Sequence, residues 1–432
     1  MKKFIKQVSA CIVCFGVMSP VFATNGYFAH GYGTKNKALA GAGVALPQDA
    51  MIAATNPAGM VWVGSRYDLG LAIFSPSPRS YEPSSVPPQG PPEMTLAPGK
   101  VESDGDYFPV PHFAKNWMLN PDASIGLTVY GNGGMNTEWP GSANGGFGTY
   151  YAGAAGVDLS QLFINTTYAR KINPQHSWGV SLILAYQRFK ATGTQSFGAS
   201  SNYPNELSDN GYDDSMGWGL KLGWQGEVTP GLTLGASYQT ETQMSEFDKY
   251  KGLFAEQGGF NIPATWTVGL AYAFANQSKL VFDVQGIAYS DIKSIANPLL
   301  PSLFNCNQSP PSADCLGGDN GSGFGWDDMI VYKLGYQWNT GSQWAWRVGY
   351  SHGDQPIPDS EVLFNILAPG VMEDHFTFGF TRFLTGGLKE FNFSLMYAPS
   401  NSVTGPNPLS FSNPQTITLE MTQWELEASF SW

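Results

Sequence analysis

Three stretches of the chain alternate apolar residues with small or polar ones: Met216 to Gln225, Thr265 to Phe274 and Trp424 to Trp432. Successive side chains of a β-strand point to opposite faces, so a period of two predicts strands with one apolar and one polar face. Strands of about ten such residues are typical of membrane-spanning β-barrels. No apolar run after residue 23 reaches the ~18 residues of a membrane-spanning helix.

The same alternation predicts an all-β fold, a transmembrane antiparallel β-barrel of about fourteen strands. The predicted strands are 67–74, 106–117, 124–130, 157–169, 177–189, 216–226, 232–242, 264–274, 279–290, 328–338, 344–351, 375–383, 390–398 and 417–432. Every second connection is short and the others are long, which is typical of a barrel with periplasmic turns and extracellular loops. The pattern places both chain ends at the end of the barrel that carries the short periplasmic turns. A soluble β-sandwich, the alternative fold, gives no reason for this asymmetry.

The composition agrees with a membrane barrel, because only 13% of the residues are charged, against about 25% in soluble domains. Residues 1–23 resemble a secretory signal peptide, with Lys2, Lys3 and Lys6 before an apolar stretch that ends in Val21–Ala23. Removing this segment takes away three lysines and no acid, which moves the net charge from −12 to −15. Such a negative charge excludes nucleic acid as a partner.

Residues 24–62, before the first predicted strand, are rich in Gly and Ala and lack the period of two. The segment ends in a turn signal, Asn56, Pro57 and Ala58. Eight strands enclose only their own side chains, whereas fourteen leave a lumen that needs a plug or a channel. We therefore predict three regions: a signal peptide (1–23), an N-terminal hatch in the lumen (24–62) and the barrel (63–432). The alternative for 24–62, a disordered periplasmic tail, leaves apolar residues such as Leu39 and Val44 without burial.

Several motifs resemble those of the FadL-type long-chain fatty-acid transporters of the bacterial outer membrane. The motifs are Lys35 to Gly41, Gly43-Val44-Ala45, Asp49-Ala50, Asn56-Pro57-Ala58, Gly131 to Glu138, Trp326-Asp327-Asp328, Leu334-Gly335-Tyr336, Arg347 to Tyr350 and Pro356-Ile357-Pro358. The resemblance covers the whole mature chain and is weakest in 75–105 and 291–327. It implies a monomeric outer-membrane barrel that takes up hydrophobic molecules passively. Long-chain fatty acids are the expected substrate. An aromatic-hydrocarbon channel of the same family and a surface adhesin or immunogenic barrel remain the alternatives.

The predicted substrate-binding residues fall into three groups. Tyr27 and Phe28 lie at the free end of the predicted hatch and are candidates for capping a lipid pocket or for ordinary packing against the wall. Ser245 to Glu256 predicts a loop helix, capped by Ser245, that rests on the rim or forms an entrance groove, the role that the resemblance favours. Its apolar residues are Phe247, Tyr250, Leu253 and Phe254. Parity places Lys221, Asp283, Lys333 and Arg347 in the lumen, with Glu425 and Glu427 toward the short-turn end. Lys333 and Arg347 are candidates for holding a substrate carboxylate, or for neutralising another lumenal charge such as Asp283.

A glycine cluster, Gly131, Gly133 and Gly134, follows the third predicted strand. Glycines are poor strand formers and often mark a bulge or bend. The resemblance implies that a kink of the third strand opens a lateral passage into the membrane. A plain turn into the next loop is the alternative.

No motif of an enzyme, a cofactor site or a metal site is recognisable, and the five histidines are scattered. Cys306 and Cys315 share one loop of an exported chain, which predicts a disulfide. The expected partners are a hydrophobic small molecule, outer-membrane lipid and the barrel-assembly machinery, which would recognise the C-terminal strand ending in Phe430 and Trp432.

Overall fold

The structure is a computed structural model that describes residues 25–306, 311–384 and 389–432. The predicted signal peptide lies outside the described residues. Fourteen long strands of the described chain form the barrel. They are β1 (Arg66–Ser75), β2 (Phe108–Asn120), β3 (Ala123–Asn136), β4 (Gly156–Lys171), β5 (His176–Thr192), β6 (Asp213–Thr229), β7 (Leu232–Gln239), β8 (Thr265–Ala273), β9 (Lys279–Ile287), β10 (Met329–Thr340), β11 (Trp344–His352), β12 (Asp374–Phe383), β13 (Glu390–Pro406) and β14 (Thr416–Ser431).

The sheet is antiparallel and closes on itself. Each barrel strand pairs with the next one along the chain, and β1 pairs both with β2 and with β14. The closing register places Asp68 opposite Ser431. A closed sheet leaves no continuous unpaired edge, which is the condition for strands to cross a membrane. The predicted fold class is confirmed.

The two faces of the wall follow the alternation of the sequence. On β6, Met216, Trp218 and Leu222 are exposed on the outer face, whereas Lys221 is buried on the inner face. The other lumenal charges predicted from parity are also buried: Asp283, Lys333, Arg347, Glu425 and Glu427. A charge on the lipid-facing side near the midplane would cost about 2–4 kcal/mol, so polarity fixes which face of each strand looks inward.

Short elements occupy the lumen and the long loops. The α-helical turns are Thr34–Lys37, Ile52–Thr55, Ala143–Gly146, Ala255–Gly258, Lys293–Ala296 and Ser302–Asn305. The 3-10 turns are Pro57–Trp62, Gln195–Ser200, Pro204–Glu206, Asp248–Tyr250, Tyr289–Asp291, Asp359–Glu361 and Phe364–Ile366, and three further short strands are Arg79–Pro83, Val101–Glu102 and Gln243–Met244. Among the described residues, no helix has the length and apolar character needed to cross a membrane.

Several strands extend by one to three residues beyond their predicted ends, and two extend much further, to Asn136 and to Pro406. β3 continues through the glycine cluster to Asn136, because β4 supplies hydrogen bonds on one side, with a bulge between Gly131 and Gly133. β13 continues to Pro406 because β14 pairs with it above the barrel, with a register shift between Ala398 and Asn401.

Residues 25–62, which we call the hatch, lie against the inward-facing side chains of the barrel and are mostly buried. The segment runs from the long-loop end of the barrel to the short-turn end, where it joins β1. The expectation that both chain ends lie at the turn end is wrong for the first described residue. The carbonyl oxygen of Asn25 accepts a hydrogen bond of 2.6 Å from the hydroxyl of Tyr289, just beyond the end of β9. Packing against loop aromatic residues keeps this end of the hatch away from water.

Candidate substrate-binding site and wall gap

Ion pairs attach the first helical turn of the hatch to the last strand of the barrel. Lys37 Nζ lies 2.8 Å from a carboxylate oxygen of Glu425 and 2.7 Å from one of Glu427. Thr34 Oγ1 donates to Glu427 Oε1 at 2.7 Å. A buried carboxylate without such partners is costly, so these contacts hold the hatch and the wall together.

Carboxylates of the wall also bind backbone N–H groups of the hatch. Asp283 Oδ2 accepts hydrogen bonds from Gly43 and Val44, at 2.7 and 2.8 Å. Asp68 Oδ2 accepts one from Ala50 at 2.8 Å. These charge-assisted bonds satisfy N–H groups that the irregular hatch leaves unpaired, and they make the inner wall a template for its backbone.

The two predicted substrate-binding cations, Lys333 and Arg347, contact the hatch. Lys333 Nζ donates to the carbonyl oxygen of His30 at 3.0 Å. Arg347 donates twice to Gln48 Oε1, at 3.0 and 2.9 Å, and also binds two wall residues. Lys221 Nζ likewise donates to the carbonyl oxygen of Ala54. Their binding of a substrate carboxylate stays a prediction; in this conformation their hydrogen bonds go to protein atoms.

The Asn56-Pro57-Ala58 motif fixes the end of the hatch. Asn56 Oδ1 accepts from the N–H of Ala58 at 3.0 Å and so caps the 3-10 turn, whose first position is Pro57. Asn56 Nδ2 donates to the carbonyl oxygens of Val44 and Trp224, at 2.7 and 3.0 Å. The side chain thus bridges two parts of the hatch and the wall.

The free end of the hatch is enclosed by aromatic rings. Tyr27 and Phe28 are 0% and 2% exposed. The Tyr27 ring lies 5.3 Å from that of Tyr289, 6.0 Å from that of Trp326 and 6.2 Å from that of Phe260, centroid to centroid. Edge and tilted arrangements at these distances are favourable for aromatic pairs. We call these five residues the aromatic tip cluster.

Predicted loop residues Phe247, Tyr250, Leu253 and Phe254 are all buried, but the predicted helix is wrong. Ser245 to Glu256 contains only a 3-10 turn, Asp248–Tyr250, and the beginning of a distorted turn, in which Glu256 has φ 56°. The Ser245 hydroxyl binds the N–H of Met216 instead of capping a helix. The rings of Phe247, Tyr250 and Phe254 pack around Phe189 instead, with centroid distances of 5.6, 4.9 and 4.7 Å.

These rings join the loop to the aromatic tip cluster. Phe254 lies 4.7 Å from Phe189 and 4.8 Å from Phe260, which in turn contacts Tyr27. A continuous series of apolar rings therefore runs from the 240–264 loop to the hatch.

The wall is open between β2 and β3 near the long-loop end. Their pairing ends at His112 and Tyr130. Above that point, residues 108–111 pair only with β1, and residues 131–136 pair with β4. At about 3.3 Å per residue the unpaired seam is about 13 Å long. Pro109 and Pro111 lie along it and have no N–H to donate, which is why a strand tolerates them beside a gap.

The hatch end covers this gap from the inside. The N–H of Ala29 donates to the carbonyl oxygen of Asn132 at 3.1 Å, and the N–H of Gly134 donates to that of Tyr27 at 3.0 Å. Phe28 forms a β-bridge with Gly133. A Cβ on Gly133 would lie 1.9 Å from the Tyr27 oxygen, so glycine is required for this approach. The three predicted glycines thus surround one place: Gly131 and Gly133 bound the bulge, and Gly134 binds the hatch.

The sequence profile described as "Outer membrane protein transport protein (OMPP1/FadL/TodX)" matches residues 16–381 of the chain. The chain belongs to this outer membrane transport family. The predicted resemblance is confirmed, and the protein is an outer-membrane barrel that transports hydrophobic compounds.

Solved structures of the same architecture agree with this family. The toluene transporter TodX of P. putida has a TM-score of 0.66 at 16% identity, over 93% of this chain and 98% of that chain. A FadL homologue of Pseudomonas aeruginosa has 0.67 at 15%, over 94% and 99%. The toluene transporter TbuX of Ralstonia pickettii has 0.60 at 16%, over 93% and 98%. At such identities the likeness shows the fold alone. A comparison with curated protein sequences found no similar protein.

Some residues of this family member's site were missed from sequence. Phe260 lies in a loop without period, and Tyr289, which the sequence placed in the strand 279–290, lies in a 3-10 turn beyond the end of β9. Only their position beside the hatch end brings them to Tyr27. Cys306 and Cys315 are joined in a disulfide within the 288–328 loop, nine positions apart.

Proposed function

We propose that this outer membrane transport protein takes up long-chain fatty acids and releases them sideways into the membrane through the β2–β3 gap. The observation that carries the lateral route is that one short stretch, Asn132 to Gly134, both borders the gap and binds the hatch end. A displacement of the hatch end therefore unblocks the gap without any change in the rest of the wall.

Solvation energy supports a sideways route. A sixteen-carbon chain gains on the order of 10 kcal/mol on leaving water, at ~0.8 kcal/mol per CH₂. Release into the periplasm would put the chain back in water and lose most of this gain, whereas release into the bilayer keeps the chain in apolar surroundings. The rings between the 240–264 loop and Tyr27 supply apolar surface on the way in.

A reversible disulfide cross-link between β2 and β3 tests the lateral route. Extending the register places Pro111 opposite Gly131, so we substitute both with Cys in a background that lacks Cys306 and Cys315. Uptake of labelled oleate is measured in cells without another transporter of this family. Oxidation should abolish uptake, and reduction should restore it.

The matched control places the two cysteines in an intact seam. Thr167 and Ser181 face each other on β4 and β5, with their hydroxyls 2.7 Å apart. Oxidising T167C/S181C should leave uptake unchanged. Wild-type uptake with the β2–β3 seam fully cross-linked would rule out the lateral route, and a deletion strain with normal uptake would favour the adhesin alternative.

Aromatic hydrocarbons are a second candidate substrate, favoured by the aromatic tip cluster. The structural neighbours TodX and TbuX bear the name of toluene transporters. Competition decides between the two: excess toluene should not reduce oleate uptake if the fatty acid is the substrate, and growth of a deletion strain on each compound gives an independent answer.

A further inference from the structure

A second pocket lies on the loop side of the hatch end. It is lined by residues that include Arg79 from the strand after β1, Gln423 from β14 and Met135 from β3. Trp326, Pro369 and Met421 contribute apolar surface. Gly26 and Gly134 also line it, so the pocket adjoins both the hatch end and the bulged strand beside the gap.

Arg79 is a buried cation with an incomplete set of partners. Its residue is 2% exposed. Nη2 donates to the carbonyl oxygens of Asp104 and Gly105, at 2.7 and 2.9 Å, and to Asn136 Oδ1 at 3.0 Å. Nε is buried and has no hydrogen-bond partner within the described parts of the chain. No described carboxylate oxygen lies within 4.0 Å of the guanidinium, although Asp106, Glu138 and Asp104 are near enough to attract it electrostatically.

Three other buried cations of the lumen differ from Arg79, whereas Lys221, like Arg79, forms no ion pair with a described carboxylate. Lys35 and Lys37 form ion pairs with glutamates. Arg347 uses Nε and both terminal nitrogens in hydrogen bonds. A buried guanidinium without a carboxylate in direct contact and with an unpaired N–H costs stability, and a function that needs the free donor accounts for such a cost.

Gln423 is a second unsatisfied group of the same pocket. It is 3% exposed, and its Oε1 is buried without a partner among the described residues. Within the described parts of the chain, its Nε2 donates to the sulfur of Met421 at 2.9 Å and to no oxygen, and sulfur is a weak acceptor. Rotating the amide by half a turn exchanges oxygen and nitrogen, so the side chain is able to present an N–H donor.

We propose that Arg79 and Gln423 bind the carboxylate of an amphipathic substrate, while Trp326, Met135 and Met421 cover the first carbons of its chain. This inference rests on the proposed function and names the group that the site recognises. The free Nε–H of Arg79 is able to donate one charge-assisted hydrogen bond to a carboxylate oxygen, and the buried setting strengthens such a bond. The headgroup would remain at the loop side, and the chain would extend toward the hatch end and the gap.

The experiment compares two ligands with the same hydrocarbon chain, charged palmitate and its neutral methyl ester. Affinities are measured on the purified barrel in lipid nanodiscs, for wild type, Arg79→Gln, Arg79→Lys and Gln423→Leu. Arg79→Gln should weaken palmitate binding about tenfold or more, because a hydrogen-bonded charge is lost, and should leave methyl palmitate within about twofold. Arg79→Lys should retain part of the palmitate affinity. Arg170→Gln, an exposed arginine of β4, is the matched control and should change neither ligand.

Heat-modifiable migration in gels verifies that each variant forms the barrel. Equal losses for the acid and its ester in Arg79→Gln would mean a purely structural role and overturn the inference, as would an unchanged palmitate affinity. Both results leave the proposed function standing. If wild type binds neither ligand, the fatty-acid function and this inference fall together.

Discussion

Gly133→Ala is the substitution that most directly tests the contact between β3 and the hatch end. The added Cβ would lie 1.9 Å from the carbonyl oxygen of Tyr27 and 3.2 Å from the Cα of Phe28. Both are backbone atoms, so no side-chain rotation relieves the overlap. The hatch end must move by more than 1 Å to restore an ordinary contact distance of about 3.5 Å.

The energetic effect follows from what this movement breaks. Overpacking of a well-packed site costs about 1–3 kcal/mol. The hydrogen bond from Gly134 to Tyr27 contributes a further ~1 kcal/mol. A total of roughly 2–4 kcal/mol shifts the equilibrium between the docked and undocked hatch end by about 30- to 700-fold.

Thiol labelling measures this shift. Ala29→Cys places a thiol beside the gap, in a background with Cys306→Ser and Cys315→Ser. Its reaction with a maleimide should be at least tenfold faster when Gly133→Ala is present. The heat-modifiable migration of the barrel in gels should be unchanged. Gly90→Ala is the control, because its Cβ would meet only a side-chain ring, at 3.3 Å. An unchanged labelling rate in Gly133→Ala would refute the reasoning.

Three further predictions concern the hatch and the C-terminal strand. Lys37→Met leaves Glu425 and Glu427 without the lysine ammonium that pairs with both. We expect the free energy of hatch docking to weaken by about 3–5 kcal/mol and proteolysis of the hatch in the folded barrel to become faster. Changing both glutamates to Gln in the same variant should recover part of the lost docking energy. Asp283→Asn replaces a charged acceptor of two N–H groups by a neutral one and should weaken docking by about 1–3 kcal/mol in hydrogen exchange of the hatch amides. Deleting Ser429–Trp432 should leave exported protein outside the membrane fraction, and normal outer-membrane levels would contradict a role of this strand in assembly.

The barrel was predictable because each strand carries its own evidence. Polarity alternates along most wall strands. Because one face of a strand meets lipid and the other meets water or the hatch, a shift of the register by one residue would place polar side chains in lipid. The inward direction of Lys221, Asp283 and Glu427 followed from the same parity. The outcome was poorer where local pattern and tertiary packing compete, as in Ser245 to Glu256, whose apolar spacing fits a helix but whose rings pack around Phe189.

The site was predictable only in part. Tyr27 and the glycine cluster were recognised separately, but their mutual contact depends on a hatch path that no local pattern encodes. No sequence pattern predicted the burial of Arg79, because a lone arginine in a polar, proline-rich loop is typical of a solvated surface residue. Its burial arises from three loops that converge over the lumen.

The pairing of Thr34 with Glu427 joins residues 393 positions apart. Contacts of such high sequence separation form late, because the loop that they close must be ordered first. The first segment to leave the export machinery therefore completes its docking only after the last strand has been made and the ring has closed. A barrel that stops short of β14 lacks Glu425 and Glu427, the acceptors of Lys37 and Thr34, so the first helical turn of its hatch stays unattached even though Asp68 and Asp283 are present.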